Sequence, residues 1–223
     1  MTKIHHLMLL DSSGSMTGVK DVTIEGFNGQ LESIRNDAEK HKDQEHFISL
    51  VVFGAMGEAV QFKFWKEHID KAKDLTDKTY APWGGTPLYD AIGMGMNGLK
   101  NEIVDDLKDG NTQVFVTIFT DGGENQSQEF SGSDCAEIIQ TLKETEQWTV
   151  ALLGCDDDDI FKEAEKLNIP KGNTYSYSRG EDGTKEAYKV MSMARTRMSD
   201  SLSTGTYTAD MSENLMSTDE ESE

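Results

Sequence analysis

The chain has 223 residues, enough for one large α/β domain with a tail, and 36% of them are hydrophobic. Forty-one acids against 21 Lys and Arg give a formal net charge of −20. That balance argues against nucleic acid and anionic membrane surfaces as partners. The sequence has no apolar run long enough to span a bilayer and no signal-peptide pattern at its start. Its two cysteines, Cys135 and Cys155, make no disulfide framework, so a cytoplasmic protein with reduced thiols is expected.

The apolar run Ile4–Leu10 predicts a buried strand. Ile24, Phe27, Leu31, Ile34 and Ala38 follow at helical spacing. His46–Phe53 reads as a second buried strand. Ala59–Phe64 alternates apolar and polar, which predicts an antiparallel partner at a sheet edge. Ile92, Met96, Leu99, Ile103 and Leu107 form one helical stripe. Gln113–Phe119 is a third buried strand. Next comes a helix near Asp134–Glu146, with Asp134 and Glu137 at capping-box spacing. A strand at Trp148–Leu153, a helix at Ile160–Leu167, a strand at Thr174–Ser178 and a helix from about Asp182 to Met198 complete the series.

Alternation of this kind predicts an α/β, Rossmann-like, doubly wound and mainly parallel sheet with helices on both faces. Residues 1–198 are expected to form that domain. Residues 199–223 contain seven acids and no Lys or Arg, with few bulky apolar residues, and are expected to be a disordered tail.

Sites in such sheets lie beyond the carboxyl ends of the strands. The first strand ends in Asp11-Ser12-Ser13-Gly14-Ser15 and the third buried strand in Thr120-Asp121-Gly122-Gly123. Gly84-Gly85-Thr86-Pro87 stands just before a helix. Asp11, Ser13, Ser15, Thr86 and Asp121 together offer two carboxylates and three hydroxyls, with no His or Cys. Hard oxygen donors suit Mg²⁺, Mn²⁺ or Ca²⁺ and suit zinc or copper poorly. Two carboxylates nearly neutralise such an ion and leave a position open for an outside acidic oxygen. Each piece has an ordinary reading too: polar turns for the first and third, and a helix cap for Thr86-Pro87.

On these residues the chain resembles a von Willebrand factor type A (vWA) domain with a metal-ion-dependent adhesion site. That family's pattern is Asp-x-Ser-x-Ser after the first strand, a Thr in a second loop and an Asp in a third, and all five positions match. The contexts LLDSSGSM, GGTPLYDAI and FTDGGEN resemble small, stand-alone bacterial and phage members. The resemblance covers about residues 3–198. It implies six strands, one short edge strand antiparallel. It also implies that Ser13, Ser15 and Thr86 bind the ion directly, that Asp11 and Asp121 act partly through water, and that a partner's Asp or Glu completes the shell. The implied role is a protein-binding module and not an enzyme, for instance an adaptor in a stress-response, chaperone-ATPase or phage–host assembly. The alternative is a Mg²⁺-dependent hydrolase of phosphate esters, with no evident general base, Lys or Arg near the motifs.

Other features carry weaker signals. Gly93–Gly98 matches G-x-G-x-x-G but falls inside a helical stripe, where small residues for close packing are expected. Of His5 and His6, one is expected in the core and one on the surface; His41, His46 and His68 have no evident partner. Asp156–Asp159 reads as acids at a helix start or a second cation site. Asp90 reads as support for the site or an exposed acid. Tyr80 and Trp83 flank the second loop, as partner contacts or as ordinary packing.

Overall fold

A computed structural model describes residues 1–155 and 157–217. Six strands form one sheet: β1 (Thr2–Asp11), β2 (Gln44–Phe53), β3 (Val60–His68), β4 (Thr112–Phe119), β5 (Trp148–Cys155) and β6 (Thr174–Tyr177). Their order is β3-β2-β1-β4-β5-β6. All neighbours are parallel except β2 and β3. The helices are α1 (Lys20–Lys40), α2 (Leu88–Glu102), α3 (Val104–Lys108), α4 (Gly132–Lys143), α5 (Asp157–Lys166), α6 (Glu181–Thr204) and α7 (Ala209–Glu213).

Side chains alternate across the sheet, and each face has its own core. Met8 and Leu10 of β1 pack with Phe27, Leu31 and Ile34 of α1 and with Met191 and Met198 of α6. Leu7 and Leu9 face the other way, toward Ile92, Met96 and Leu99 of α2 and Ile139 of α4. A strand covered on both faces reads as a continuous apolar run, which is why β1, β2, β4 and β5 are visible in the sequence. The glycines of α2 serve packing. A Cβ at Gly95 would stand 2.9 Å from Leu9, and one at Gly93 would stand 2.4 Å from the Phe130 ring.

The structure corrects several expectations. The antiparallel edge strand is nine residues long, not short. It continues past Phe64 through an irregular pairing with β2, where Lys66 has φ 52° and its N–H donates to Ser49 Oγ. The stripe Ile92–Leu107 is two helices, broken at Ile103. The capping box of α4 is Ser131 with Asp134, three residues earlier than read. His5 and His6 are both buried, since β1 is interior. His41 pairs with Asp200 at 2.6 Å and His46 with His6 at 3.1 Å, and His68 Nδ1 accepts from the Asp70 N–H.

The boundary at residue 198 also moves. α6 runs on to Thr204 because Ser199 and Ser201 still face the core, and Ser199 Oγ bonds Gln44. After a left-handed turn at Gly205, α7 follows, and Leu215 and Met216 are buried against the α1/α6 layer. The last acids, Asp219 to Glu223, lie outside the described residues, as does Asp156.

Candidate metal centre

The strand order turns back on itself between β1 and β4. Connections leave in opposite directions there, so the loops part and leave a crevice at the carboxyl ends. Asp11 ends β1, and Thr120 and Asp121 directly follow β4.

Asp11 is fully buried. Its Oδ1 accepts the Ser13 N–H at 2.6 Å, and its Oδ2 accepts the Thr120 hydroxyl at 2.6 Å. The first bond closes a turn that aims Ser13 and Ser15 the same way. Their hydroxyls stand 2.9 Å apart, and Ser15 Oγ donates to Asp121 Oδ1 at 2.5 Å. Thr86 arrives from the second loop. A Cβ built at Gly122 would meet Thr86 Oγ1 at 3.7 Å and Ser15 Oγ at 3.8 Å, so both hydroxyls border one glycine. The structure therefore brings together all five residues singled out from the sequence. Thr86 lies one residue ahead of the Pro87 N-cap of α2, and that cap makes no side-chain bond.

The loops are fastened to each other by backbone. Trp83 N–H donates to Ser12 O, Gly14 N–H to Gly84 O, and Gly84 N–H to Gly54 O. Gly54 has φ +81°, and a Cβ there would stand 2.5 Å from Gly85 O. Asn125 clamps Thr86 from both sides: its Oδ1 accepts the Thr86 N–H at 2.9 Å, and its own N–H donates to Thr86 O at 3.1 Å. Glu124 accepts the N–H groups of Tyr89, Gln126 and Ser127. Asp90 is not exposed, and it fastens the segment that follows Asn125. It is buried and accepts the N–H groups of Gln128, Glu129 and Phe130. Tyr80 and Trp83 divide. Tyr80 is fully buried and its hydroxyl donates to Asp11 O at 2.6 Å, while Trp83 is 66% exposed.

Burial pushes the Asp11 carboxyl up to about 6, with the charge of Asp121 adding to the rise and the bonds from Thr120 and Ser13 opposing it. A carboxylate held in so little water is a group that gains from a cation. All the donors that converge are oxygens, so the set fits a hard divalent ion. The histidines stand elsewhere. His5, His6 and His46 lie in the first halves of β1 and β2, and His6 is five residues, or about 16 Å along the strand, from Asp11.

Thr120, Asn125 and Arg179 were not singled out as site residues from the sequence, and Tyr80 was read only as a partner contact or ordinary packing. Thr120 and Asn125 sit inside the FTDGGEN segment and were within reach of a closer reading. Arg179, in the loop after β6, has no local signal. Its Nη1 stands 3.9 Å from Asp121 Oδ2.

No family model and no curated protein sequence matches the chain. Solved structures do. The pilus adhesin SpaC from Lactobacillus rhamnosus GG superposes with a TM-score of 0.60 at 12% identity, over 88% of this chain and 30% of that one. Proximal thread matrix protein 1 from the mussel byssus gives 0.53 at 13% identity, over 86% and 45%. A form of the same protein with a zinc-occupied MIDAS motif gives 0.52 at 14% identity, over 86% and 46%. The chain thus spans less than half the length of either structure. At such identities the likeness is one of fold. The α/β architecture, a mainly parallel six-stranded sheet with its single antiparallel strand, is the fold this chain shares with those structures. Within that fold, the loops at the carboxyl ends of β1 and β4 are the candidate site.

Proposed function

We propose that this chain is a metal-dependent protein-interaction module of the stand-alone vWA type. It would hold a divalent ion, Mg²⁺ in the first place, through Asp11, Ser13, Ser15, Thr86 and Asp121. The observation that carries the reading is the convergence of three hydroxyls and Asp121 beside the buried Asp11. The hydroxyls of Ser13, Ser15 and Thr86 would be direct ligands, and Asp11 and Asp121 would act partly through water. When bound, the ion supplies a Lewis-acidic position that accepts an outside carboxylate.

The chain's own residues hold that arrangement ready. Asp11 fixes the first loop through the Ser13 N–H, and Thr120 fixes Asp11. Asn125 keeps Thr86 in place. The partner would supply an Asp or Glu to the ion, and Trp83 and Met56, both more than half exposed, would contact the partner beside it. Ala55 and Pro82 are bridged, so these two side chains rise from joined loops. The zinc-occupied MIDAS of the byssus protein supports a divalent ion in this fold. The burial of Cys135 and Cys155 is compatible with a cytoplasmic setting.

The test is capture of partner proteins on the immobilised chain in Mg²⁺, eluted with EDTA and repeated with Asp11→Ala. Specific capture lost on both treatments supports the reading, and capture indifferent to both refutes it. The hydrolase alternative gains a cation from Arg179, but the described histidines lie at the far end of the sheet. Mg²⁺-dependent turnover of phosphate esters, abolished by Asp11→Ala, would favour it over the binding module.

A further inference from the structure

The start of α2 is capped by a different loop. The first N–H groups of a helix have no partner inside it. Pro87, at the N-cap position of α2, offers no side-chain acceptor. Glu124, in the loop after β4, supplies one. Its Oε2 accepts the Tyr89 N–H at 3.0 Å, and its Oε1 accepts the Gln126 N–H at 2.8 Å and the Ser127 N–H at 2.7 Å. The Ser127 hydroxyl donates to the same Oε2 at 2.7 Å and accepts the Asp90 N–H at 3.1 Å. Asp90 answers from the helix: its carboxylate accepts the N–H groups of Gln128, Glu129 and Phe130, each at 2.9 Å.

Residues 124–130 are thus joined to residues 85–90 along their length. Gln126 Oε1 accepts the Gly85 N–H at 3.2 Å, and Asn125 holds both backbone groups of Thr86. Asp121 stands three residues before Glu124 and Thr86 two residues before Leu88, where α2 begins. The carboxylate of the third loop and the hydroxyl of the second therefore belong to one fastened unit, with Glu124 at its middle. An ionised carboxylate has about four acceptor positions. Tyr89, Gln126 and the two donors of Ser127 fill them, so Glu124 is committed to the loops and not to an ion. Its charge also lies at the positive end of the α2 dipole, where an anion is favourable. A helix that borrows its cap has its first turn placed by the lender, and Thr86 leads straight into that turn.

We propose that Glu124 is a positioning residue of the metal centre: by capping α2 from the loop after β4, it fixes the Thr86 hydroxyl relative to Ser15 and Asp121. The inference rests on the metal-dependent reading above and names a residue outside the five donors on which ion affinity depends.

The experiment is a double-mutant cycle of Glu124→Gln with Thr86→Val on the full chain, with Mn²⁺ affinity read by water-proton relaxation. Gln keeps the size of Glu but turns an amide N–H₂ toward groups that already donate. Glu124→Gln is expected to weaken Mn²⁺ binding about three- to thirtyfold, the upper end being the strength of a helix cap. With Thr86→Val the same change should cost less than about twofold, since no hydroxyl is left to position. Glu124→Asp keeps the charge and can still cap its own turn, but it is one methylene short of Tyr89 and should behave like Glu124→Gln. Equal losses with and without Thr86→Val would overturn the proposal, making Glu124 a general support. Wild-type affinity in Glu124→Gln or in Thr86→Val would overturn it too. Wild-type affinity in Glu124→Asp would do so as well, by reducing the effect to charge. A further measurement needs no variant. Coupling between cap and ion is reciprocal, so saturating Mg²⁺ should slow hydrogen exchange at the Tyr89 N–H of the wild-type chain. Exchange unchanged by bound Mg²⁺ would overturn the proposal. Wild type that binds neither ion would instead bring down the metal-dependent reading itself.

Discussion

Asp11 and Trp83 are the two single residues on which the proposed function turns. Asp11 is buried, bonded on both oxygens, and raised to about 6. At a hundredfold excess over its Kd, a ligand stabilises its protein by about 2.7 kcal/mol. For Mg²⁺ that should raise Tm by roughly 5–10 °C in a domain of this size, as read by calorimetry. Asp11→Ala is expected to abolish the rise. The same ion must displace the proton from Asp11, so Mg²⁺ affinity should increase from pH 5 to pH 7 in titration calorimetry. Trp83→Ala should leave Mg²⁺ binding intact and weaken a captured partner about 30-fold or more, as measured by surface plasmon resonance, if the exposed ring is an interface anchor. The grouping of the five oxygen-bearing residues at one end of the sheet was legible because each lies at or just beyond the carboxyl end of a strand or just ahead of a helix. Arg179 was not, because nothing near it in sequence relates it to Asp121, 58 positions earlier. Tyr80 and Trp83 could not be told apart in advance: which of two neighbouring aromatics turns inward depends on Asp11 O as a partner for the hydroxyl.

Among elements, the loops depend on the strands that launch them and on one another. Gly54 shows this best. It follows β2 directly, takes φ +81°, and lets Gly85 O approach its Cα. Gly54→Ala adds both a left-handed strain of about 1 kcal/mol or more and a clash with backbone. It is expected to lower the urea midpoint and to weaken Mg²⁺ binding, although Gly54 offers no ligand, because it joins the first and second loops. The buried strands and the amphipathic helices were legible from their periods. The exceptions have local causes. The helical stripe continues past Glu102 because Ile103 is buried at the break itself, so spacing alone does not register it. The capping box was misplaced because Ser131/Asp134 and Asp134/Glu137 have the same spacing, and only the observed bonds select the first. β3 outran its alternating pattern since the irregularity at Lys66 resets which side chains face inward.

On the scale of the whole molecule, the two ends of the sheet titrate in opposite senses. Burial lowers His5 and His46 to about 4, and lowers His6 as well. Their neutral forms belong to the folded state, so the stability they confer is full above about 6.5 and is lost as pH falls toward 4. Asp11, raised, works the other way without metal: its contribution is full below about 4 and is lost as pH rises through 6. Burial raises Asp37 too, so three histidines stand against two carboxyls, and the balance predicts that the metal-free protein loses stability between pH 6.5 and pH 4, as chemical denaturation across that range would measure. The C-terminal segment was misjudged for a reason of composition. Residues 199–223 average as acidic and polar, but two positions, Leu215 and Met216, bury against the core, and an average conceals them. Ending the chain at residue 198 is therefore expected to cost several kcal/mol, at about 1.5–3 kcal/mol per buried large side chain, and to appear as a clear fall in Tm.

Both margins of the sheet are poor templates for a further strand. β3 is interrupted at Lys66 and also carries Lys63, while β6 is four residues long, with Met216 N–H bonded to Gly172 O just ahead of it. Edgewise pairing with another strand is thereby disfavoured at both margins. On the proposed reading, a partner would be gripped by side chains at the loop end and not by an added strand.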